Sequence, residues 1–466
     1  MNKFFRILTP VLILLLLFNL AALPPVLAGL LDLAQAENLS LSSPGTAELK
    51  YESAARHLPW RTDLWEQAGL MALKDENLDL AIRLLKKPAH ISAMGRLALG
   101  DALFRTGDKQ SAIEQWERLR ADGLGSSQLY NRLGHVYYDL GNYDKAIEAF
   151  DIAQKLAAGD ADSRFILGLL LATRNPDQAL EPLMQAAQLD PKLDPTVQDL
   201  RHGLNVALLS SDPAAQLTGA GRTLVAQNAL TLGKEAFTNA IKTDSHYAPA
   251  WAWLGEVKQI LREDGLPELD RALALDPYSA EIRGLRAVYW LQANQFEKAR
   301  DEFQMAVELE PEKPGWQISL GDVIARIGDV PGGLSHYQRA IELSPRDPTY
   351  WRLLANFTVD YNYGVREIGF PAALQARALA PEDPQNSATL GRIYFANGDL
   401  ATAETIWLQV LEKHPELSAV HLYLGVLYLQ KGKYTSAHDH LIQARDLDPD
   451  GPYGRQAQRM IGQYFP

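Results

Sequence analysis

The feature that most constrains this chain is a small residue that recurs at a nearly constant interval along its 466 residues. Most neighbouring positions are about 34 residues apart, and the series comprises Gly69, Gly100, Gly134, Gly168, Gly221, Gly255, Ala287, Gly321, Ala355, Gly391 and Gly425. A period of this length is typical of chains that stack copies of one small structural unit. The length therefore counts repeats in one long array, and it does not indicate three separate globular domains.

Two further series keep phase with the first. A small residue follows 12 positions later in most units, and a large apolar residue follows four positions after that, at Leu85, Trp116, Phe150, Phe237, Phe303, Tyr337, Trp407 and Leu441. Within Leu129–Leu156, apolar residues recur at helical spacing in two blocks that a short turn separates. Each unit is thus predicted to be two antiparallel helices, in which Gly134 and Ala146 permit a close approach and Phe150 fills the adjacent gap.

Proline closes most units, at Pro191, Pro277, Pro311, Pro345, Pro381, Pro415 and Pro449. Proline lacks the backbone N–H and restricts the preceding residue, so each second helix is expected to end there. The combined pattern, clearest in Ala280–Pro311 and Ser418–Pro449, resembles the tetratricopeptide repeat over roughly residues 44–451. This resemblance implies an all-α fold, a right-handed superhelical solenoid of about eleven antiparallel helix pairs.

The repeat phase also divides the chain into segments. An N-terminal array is predicted over residues 44–191 and a C-terminal array over 214–451, with an extra joining helix in residues 192–213. Residues 44–59 have the pattern of a second helix that lacks its first. Residues 452–466 are predicted to form a capping helix in which Met460, Ile461, Tyr464 and Phe465 cover the last unit while Arg455, Gln458 and Arg459 face water.

The amino terminus has a different character from the repeats. Lys3 and Arg6 precede the uncharged segment Ile7–Leu31, whose 25 residues are enough for a hydrophobic helix that crosses a bilayer. Two alternatives stay open for residues 1–31: an uncleaved signal anchor, or a signal peptide cleaved after Ala28, because Val26–Ala28 ends in the small residue of a cleavage site. Residues 32–43 are predicted to be a linker.

The charges on either side of this segment predict the side of the membrane on which the repeats lie. Positive residues precede the segment, whereas Asp32 and Glu37 follow it. This bias places the repeats outside the cytoplasm, on a single-pass cell-membrane protein or on a secreted or periplasmic protein if the segment is removed.

Composition excludes several classes of function. The formal net charge of −12 disfavours nucleic acid as a partner, and the absence of cysteine excludes disulfides, Cys-ligated zinc, iron–sulfur clusters and thiol nucleophiles. No phosphate-binding loop, His-Glu-x-x-His or nucleophile-elbow motif occurs. His438 and His440 lie two residues apart and would point to different faces of a helix, so neither they nor nearby His421 predict a metal site. We therefore expect no catalytic residues, no metal and no cofactor.

The resemblance also implies where a partner would bind, since the first helices of such units line a concave groove. The candidate groove residues are Asp322, Arg326, Arg352, Asn356 and Arg392. These side chains either grip a carboxylate or an acidic peptide, or they are ordinary solvated charges. Trp253, Phe395 and Tyr423 lie near the groove and either receive a partner helix or pack between adjacent first helices.

Three functions remain open on this basis. The first is a non-catalytic scaffold for other proteins or peptides, in the assembly of the envelope or of a secreted polymer. The second is a module that binds a small anion, a glycan or a peptide carboxylate through Arg326, Arg352, Asn356 and Arg392. The third is an accessory subunit of a membrane enzyme complex.

Overall fold

The computed structural model describes residues 23–157 and 160–465, which are α-helical apart from short turns and contain no strand. The all-α prediction is confirmed for this part of the chain. Two compact units are present, one ending at Asn239 and the other beginning at Ala240. The division falls inside a helix, Leu230–Thr243, and not at the predicted joining segment, residues 192–213.

The first unit contains a regular succession of antiparallel helices. They are α1 (residues 23–39), α2 (Pro44–His57), α3 (Asp63–Lys74), α4 (Leu78–Leu85), α5 (Ala93–Arg105), α6 (Lys109–Ala121), α7 (Ser127–Asp139), α8 (Tyr143–Leu156), α9 (Ala161–Ala172), α10 (Pro176–Leu189), α11 (Asp194–Ala207) and α12 (Pro213–Ala226), while α13 (Leu230–Thr243) spans the division. Helix α11 contacts both α10 and α12, and its Val197, Leu200 and Leu204 belong to the same apolar cluster as Leu133. It therefore continues the stack of the first unit.

The second unit repeats the same arrangement. Its helices are α14 (Ala248–Ile260), α15 (Leu266–Leu275), α16 (Ala280–Gln292), α17 (Phe296–Leu309), α18 (Pro314–Ile327), α19 (Val330–Leu343), α20 (Pro348–Asp360), α21 (Phe370–Leu379), α22 (Pro384–Ala396), α23 (Leu400–Lys413), α24 (Ser418–Gln430), α25 (Tyr434–Leu447) and α26 (Pro452–Tyr464). A π-helical turn, Val365–Gly369, precedes α21 and takes up the two additional residues of that repeat.

Aspartate and proline begin the first helices of several repeats. Asp347 and Asp383 are N-cap residues whose carboxylates accept hydrogen bonds from the backbone N–H of Thr349 at 2.8 Å and of Gln385 at 2.9 Å. Pro348 and Pro384 follow at the first helical position, where the missing N–H costs nothing. Pro348 and Pro384 thus mark the starts of α20 and α22. They are distinct from the predicted prolines Pro345 and Pro381, which follow the ends of α19 and α21.

The recurring glycines make room for the recurring large residues. A Cβ atom on Gly134 would lie 2.6 Å from Cε1 of Phe150, whose ring is 2% exposed. At Gly321 the neighbouring atom is instead a backbone oxygen, that of Gly333 at 2.8 Å. The two helices of a repeat therefore approach closely at these glycines, as predicted. The group that lies against the glycine is an aromatic ring at Gly134 and the backbone of the second helix at Gly321.

The linker prediction is wrong for residues 32–39, and the second helix predicted at residues 44–59 is present as α2 but does not lack its first helix. Residues 32–39 belong to α1, and Ala36 in their midst is fully buried. Helix α1 is the first helix of the pair whose second helix is α2. A Cβ on Gly29 would lie 2.8 Å from Cγ of Leu58, at the end of α2. Asp32 accepts hydrogen bonds from Lys50 at 2.9 Å and from Ser53 at 2.7 Å. Residues 23–31 were missed because a uniformly apolar run hides the periodicity, and residues 32–39 alone are too few to show a helical pattern.

The described residues contain no helix that is both long enough and apolar enough to cross a membrane. The predicted anchor or signal peptide lies mostly outside the described residues, which begin within it at residue 23. At the other end, Met460, Ile461 and Phe465 pack against the last repeat as predicted, and Arg455, Gln458 and Arg459 are exposed. Tyr464 is 49% exposed, so its predicted covering role is wrong, because the buried face of α26 runs through Ala457 and Ile461.

Candidate partner-binding groove

The groove candidates of the second unit lie on three successive first helices, α18, α20 and α22. Asp322, Asn356 and Arg392 each follow the small residue of their repeat, so they occupy equivalent positions. Arg392 donates hydrogen bonds to Oδ1 of Asn356 at 2.8 Å and to Oδ1 of Asp360 at 2.6 Å. The structure therefore joins Asn356 and Arg392 through contacts that include Asp360, which the sequence analysis did not select.

Asp322 and Arg326 lie one turn apart on α18. The Tyr337 hydroxyl donates a hydrogen bond to Oδ1 of Asp322 at 2.5 Å. Burial raises the pKa of the Asp322 carboxyl, and the Tyr337 hydrogen bond and the Arg326 charge oppose this shift. Arg326 is exposed, and it makes no hydrogen bond or ion pair with any residue in 23–157 or 160–465.

Arg352 makes a separate contact. Its Nη1 donates to Oε1 of Gln385 at the start of α22, and its Nε atom is buried without a partner among the described residues. The three arginines therefore do not converge on one point. Arg392 and Arg352 already have partners within the protein, and Arg326 remains available to a ligand.

Acidic residues offset two of the three arginines in this groove. Arg326 and Arg392 are offset by Asp322 and Asp360, so a small carboxylate would have to compete with Asp360 for the guanidinium of Arg392. A preformed clamp for a small anion would need several unpaired cations that point at one site. The geometry instead suits a ligand that presents both hydrogen-bond donors and hydrogen-bond acceptors.

A cavity of 440 Å³ opens beside Arg392. Its lining includes Asp360, Arg392, Phe395, Trp407, Tyr423, Tyr453 and Gln456. The guanidinium of Arg392 lies 5.3 Å from the ring centroid of Tyr423, and that ring is 5.4 Å from Trp407. Phe395 and Tyr423 thus pack between neighbouring helices and also line the cavity, whereas Trp253 lies elsewhere in the unit and donates to Glu281 at 3.1 Å.

Asp360, Tyr453 and Gln456 were not among the predicted groove residues. A signal for Asp360 existed, because it follows Asn356 by four residues and therefore shares its face of α20. Tyr453 and Gln456 belong to α26, which lies outside the repeat phase. Only the packing of α26 on α24 brings these two side chains to the cavity.

The histidines near the carboxy terminus form a pair, and the described residues include no group of three side chains that could hold a metal. Nδ1 of His421 lies 3.0 Å from Nδ1 of His440, and Nε2 of His421 lies 3.0 Å from the carbonyl oxygen of Pro415. The proton on His421 is therefore assigned to Nε2, so that His440 donates to Nδ1 of His421. His438 points away and contacts Phe465, with ring centroids 4.7 Å apart.

This histidine pair predicts a pH-dependent stability. Burial lowers the pKa of both His421 and His440 below the ordinary value of about 6.5, so the unfolded chain takes up protons first as the pH falls. The free energy of unfolding of the second unit is expected to fall as the pH is lowered through about 6.5, where the histidines of the unfolded chain take up protons, as urea denaturation would measure.

Two variants isolate this effect from other titrating groups. His440→Phe keeps a ring beside Tyr428, whose centroid lies 5.5 Å from that of His440, and should reduce the loss on acidification. His246→Phe changes a histidine whose side chain is 78% exposed and should leave the loss unchanged. Equal pH dependence in all three proteins would contradict the assignment.

Three similar proteins illustrate the relationships of this chain. Cellulose synthase operon protein C of Xanthomonas axonopodis pv. citri (strain 306) is 26% identical over 333 residues, which cover 66% of this chain and 20% of that protein. Interferon-induced protein with tetratricopeptide repeats 2 of Mus musculus is 30% identical over 215 residues, 43% of this chain and 41% of its own. The crystal structure of the yeast Tom70 superimposes with a TM-score of 0.44 and 15% identity, covering 93% of this chain and 95% of that one.

The chain spans less than half of the length of either of these two curated relatives. The family described as "Tetratricopeptide repeat" matches residues 97–161, 131–195, 262–315, 291–348 and 388–452. These segments cover more than half of the sequence, and they lie within the helical repeats of the two units. The chain belongs to the tetratricopeptide repeat family.

Proposed function

We propose that this protein is a non-catalytic scaffold that binds other proteins or peptides through the groove formed by α18, α20, α22 and α24. The observation that carries this proposal is the cavity beside Arg392, where aromatic rings from α22, α23, α24 and α26 meet the ion pair of Arg392 with Asp360. A cavity whose lining mixes aromatic rings with fixed polar groups suits an inserted side chain of a partner. Exposed Arg326 supplies a cation at the edge of the same groove.

We further propose that the scaffold acts in the assembly or export of a secreted polymer or of the envelope. The similarity to cellulose synthase operon protein C, which extends over 66% of this chain, supports this setting. The proposal also places the repeats on the outer side of the cytoplasmic membrane, because Lys3 and Arg6 precede the apolar segment and Asp32 follows it.

Helix α1 favours the uncleaved alternative for residues 1–31. A cut after Ala28 would fall within α1 and would remove Val26. Together with Leu33 and Leu39, Val26 packs against the apolar cluster that contains Ala47 and Tyr51 of α2. The first helix pair would then lose apolar contacts that its own sequence provides. We therefore propose that residues 1–31 are retained as an anchor.

Site-specific photocrosslinking in membranes that contain the full-length protein tests these proposals. A crosslinker next to Arg326 on α18 should capture a defined set of proteins, whereas one at exposed Gln338 on the second helix α19 should not. Arg326→Ala should weaken binding of a captured partner by about ten-fold or more, because arginine is a frequent interface hot spot. Intact mass of the same protein should include residues 1–28.

The matched control is Arg339→Ala, which removes an exposed arginine that pairs with Glu342 on α19. Both variants should unfold within about 0.5 kcal/mol of the parent, so that a difference in binding is not a difference in folding. Equal capture from α18 and α19, or equal binding by both variants, would argue against the groove. An intact mass that corresponds to a chain beginning at Gly29 would contradict the retained anchor and would leave the groove proposal standing.

A further inference from the structure

Helix α1 carries an apolar face that nothing in the described residues covers. Leu23, Leu27, Leu30 and Leu31 are 57%, 51%, 49% and 64% exposed. The opposite face packs against the first repeat through Val26, Gly29 and Leu33. Helix α1 is thus apolar on all sides as far as residue 31, and it becomes amphipathic at Asp32, which pairs with Lys50 at 2.9 Å.

The loop between α2 and α3 lies at the same level along α1 as this face. A Cβ on Gly29 would be 2.9 Å from Cβ of His57, which places the loop residues 58–62 at the level of the exposed leucines. Trp60 in this loop is 63% exposed. Tryptophan is enriched where proteins meet the interface between water and the apolar part of a bilayer.

The loop between α4 and α5 lies at the same edge of the unit. The N–H of Ser92, at its end, donates to Oε2 of Glu66 on the first turn of α3 at 2.8 Å, and Nζ of Lys87 lies 3.5 Å from the ring centroid of Trp65. This loop also leads into the start of α5, where Met94 is 67% exposed. The first two loops of this edge therefore adjoin one another.

Charge distinguishes these two loops from the later ones. The loops 58–62 and 86–92 contain Arg61, Lys86 and Lys87 and no acidic residue, and Arg56 lies in the last turn of α2 just before the first loop. The corresponding loops 276–279, 310–313, 380–383 and 448–451 each contain at least one acidic residue in a chain of net charge −12.

Neighbouring acids compensate only part of this positive charge. Arg56 and Lys87 share Glu52, at 2.7 and 3.7 Å, and Arg61 pairs with Asp63 at 2.8 Å. The four cations exceed the three acids of this edge, Glu52, Asp63 and Glu66, so the edge keeps an excess of positive charge. Lys86 is exposed and has no ion pair in the described part of the chain.

We propose that this edge, formed by the leucine face of α1, the Trp60 loop and the Lys86–Lys87 loop, lies on the surface of a bilayer that contains anionic lipids. The inference rests on the proposed anchor, because the uncharged residues that precede residue 23 lead directly to the leucine face. Exposed leucines and tryptophan enter the interfacial layer, and lysine and arginine meet lipid phosphates. A second copy is a poor occupant, because two positive edges would face each other.

Contact with lipid would fix the orientation of the first repeats. The start of α1 and the loops that precede α3 and α5 would all face the membrane, so the first helices of these repeats would point away from it. The anchor alone would allow the first unit to rotate above the bilayer, whereas the additional loop contacts remove this freedom. A probe at Thr62, in the loop beside Trp60, therefore distinguishes contact of the loops with lipid (docking) from attachment through the anchor alone (tethering).

Single cysteines test this proposal cleanly, because the chain has none of its own. Full-length Thr62→Cys carries a solvent-sensitive fluorophore and is reconstituted into vesicles of phosphatidylcholine alone or with phosphatidylglycerol, each with a lipid-borne quencher. Quenching should be strong in the anionic vesicles and weak in the neutral ones. Leu209→Cys, at a leucine that is 84% exposed, should show little quenching in either.

A charge variant measures the electrostatic contribution. Adding Lys86→Ala to the Thr62→Cys protein should lower the ratio of docked to undocked protein about five-fold in anionic vesicles, which is the usual effect of one cation near such a surface. Arg346→Ala removes an exposed arginine from a loop of the second unit and should leave the ratio unchanged. An equal effect of both variants would overturn the role of the basic loops.

The remaining outcomes separate this proposal from the anchor. If the protein floats with the vesicles but Thr62→Cys is quenched no more than Leu209→Cys, the docking surface is overturned and the anchor stands. If the protein does not float with the vesicles, both are overturned. If a label at Leu27→Cys becomes shielded from aqueous iodide as the concentration of detergent-solubilised protein rises, a second copy covers the face and the lipid proposal is overturned.

Discussion

Replacing Trp407 with alanine is expected to lower the free energy of unfolding of the second unit by about 3–5 kcal/mol. The indole lies between α22 and α23, is 1% exposed, and donates from Nε1 to the carbonyl oxygen of Ala388 at 2.9 Å. Gly391 is small because this ring occupies the space beside it. The substitution therefore opens a cavity and also removes a buried hydrogen bond.

Hydrogen exchange and urea denaturation together measure this effect. Because each repeat contacts mainly its neighbours, loss of amide protection should concentrate in α22–α25 and spread less to distant repeats. Tyr278→Ala is the matched control, since it removes an aromatic side chain that is 80% exposed and should change stability by about 0.5 kcal/mol or less. Equal losses in the two variants would contradict the packing described here.

Replacing Glu302 with alanine is expected to cost about 3 kcal/mol. Its carboxylate accepts from Nη1 of Arg283 at 3.0 Å and from Arg286, and its side chain is only 10% exposed. Arg286 would keep Asp270, at 2.9 Å, but Arg283 would lose its carboxylate partner in a largely buried position. The cost arises mainly from this uncompensated charge.

An exposed pair provides the comparison. Glu342 pairs with Arg339 at 3.0 Å, with side chains 64% and 49% exposed, and Glu342→Ala should cost about 0–1 kcal/mol in the same denaturation experiment. The double variant Arg283→Ala, Glu302→Ala should cost less than the sum of its single variants, because both remove one interaction. Additive single costs would show that Glu302 stabilises the unit in another way.

Much of the fold was predictable from periodicity alone. The recurrence of Gly134 and Gly391 with Phe150 and Trp407 sixteen residues later indicated a helix pair in which a large side chain fills the space that a glycine leaves, and the structure has these contacts. Helical spacing is a property of sequence neighbours, so a single chain is enough to show it. The same reasoning failed at α1, because a run in which almost every residue is apolar has no visible inward face.

The candidate groove was predictable in its register and not in its contacts. Asp322, Asn356 and Arg392 share one position of the repeat, which the sequence fixes to one face of successive helices. Whether an arginine there is free or paired depends on the neighbouring helix. Asp360, 32 residues before Arg392 in the sequence, accepts a hydrogen bond from its guanidinium. Sequence spacing alone does not specify such pairs, because several acids lie within reach of each repeat.

The stack of helix pairs and the residues of their shared interior follow from the repeat pattern, because small and large residues must alternate where helices approach closely. Three features became visible only in the folded chain: residues 23–39 complete the first pair, α26 contributes Tyr453 to the cavity beside Arg392, and Arg326 is the groove arginine without a partner among the described residues. The reason is physical: local periodicity sets which face of a helix is buried, whereas the contacts made by that face depend on distances between residues far apart in the chain.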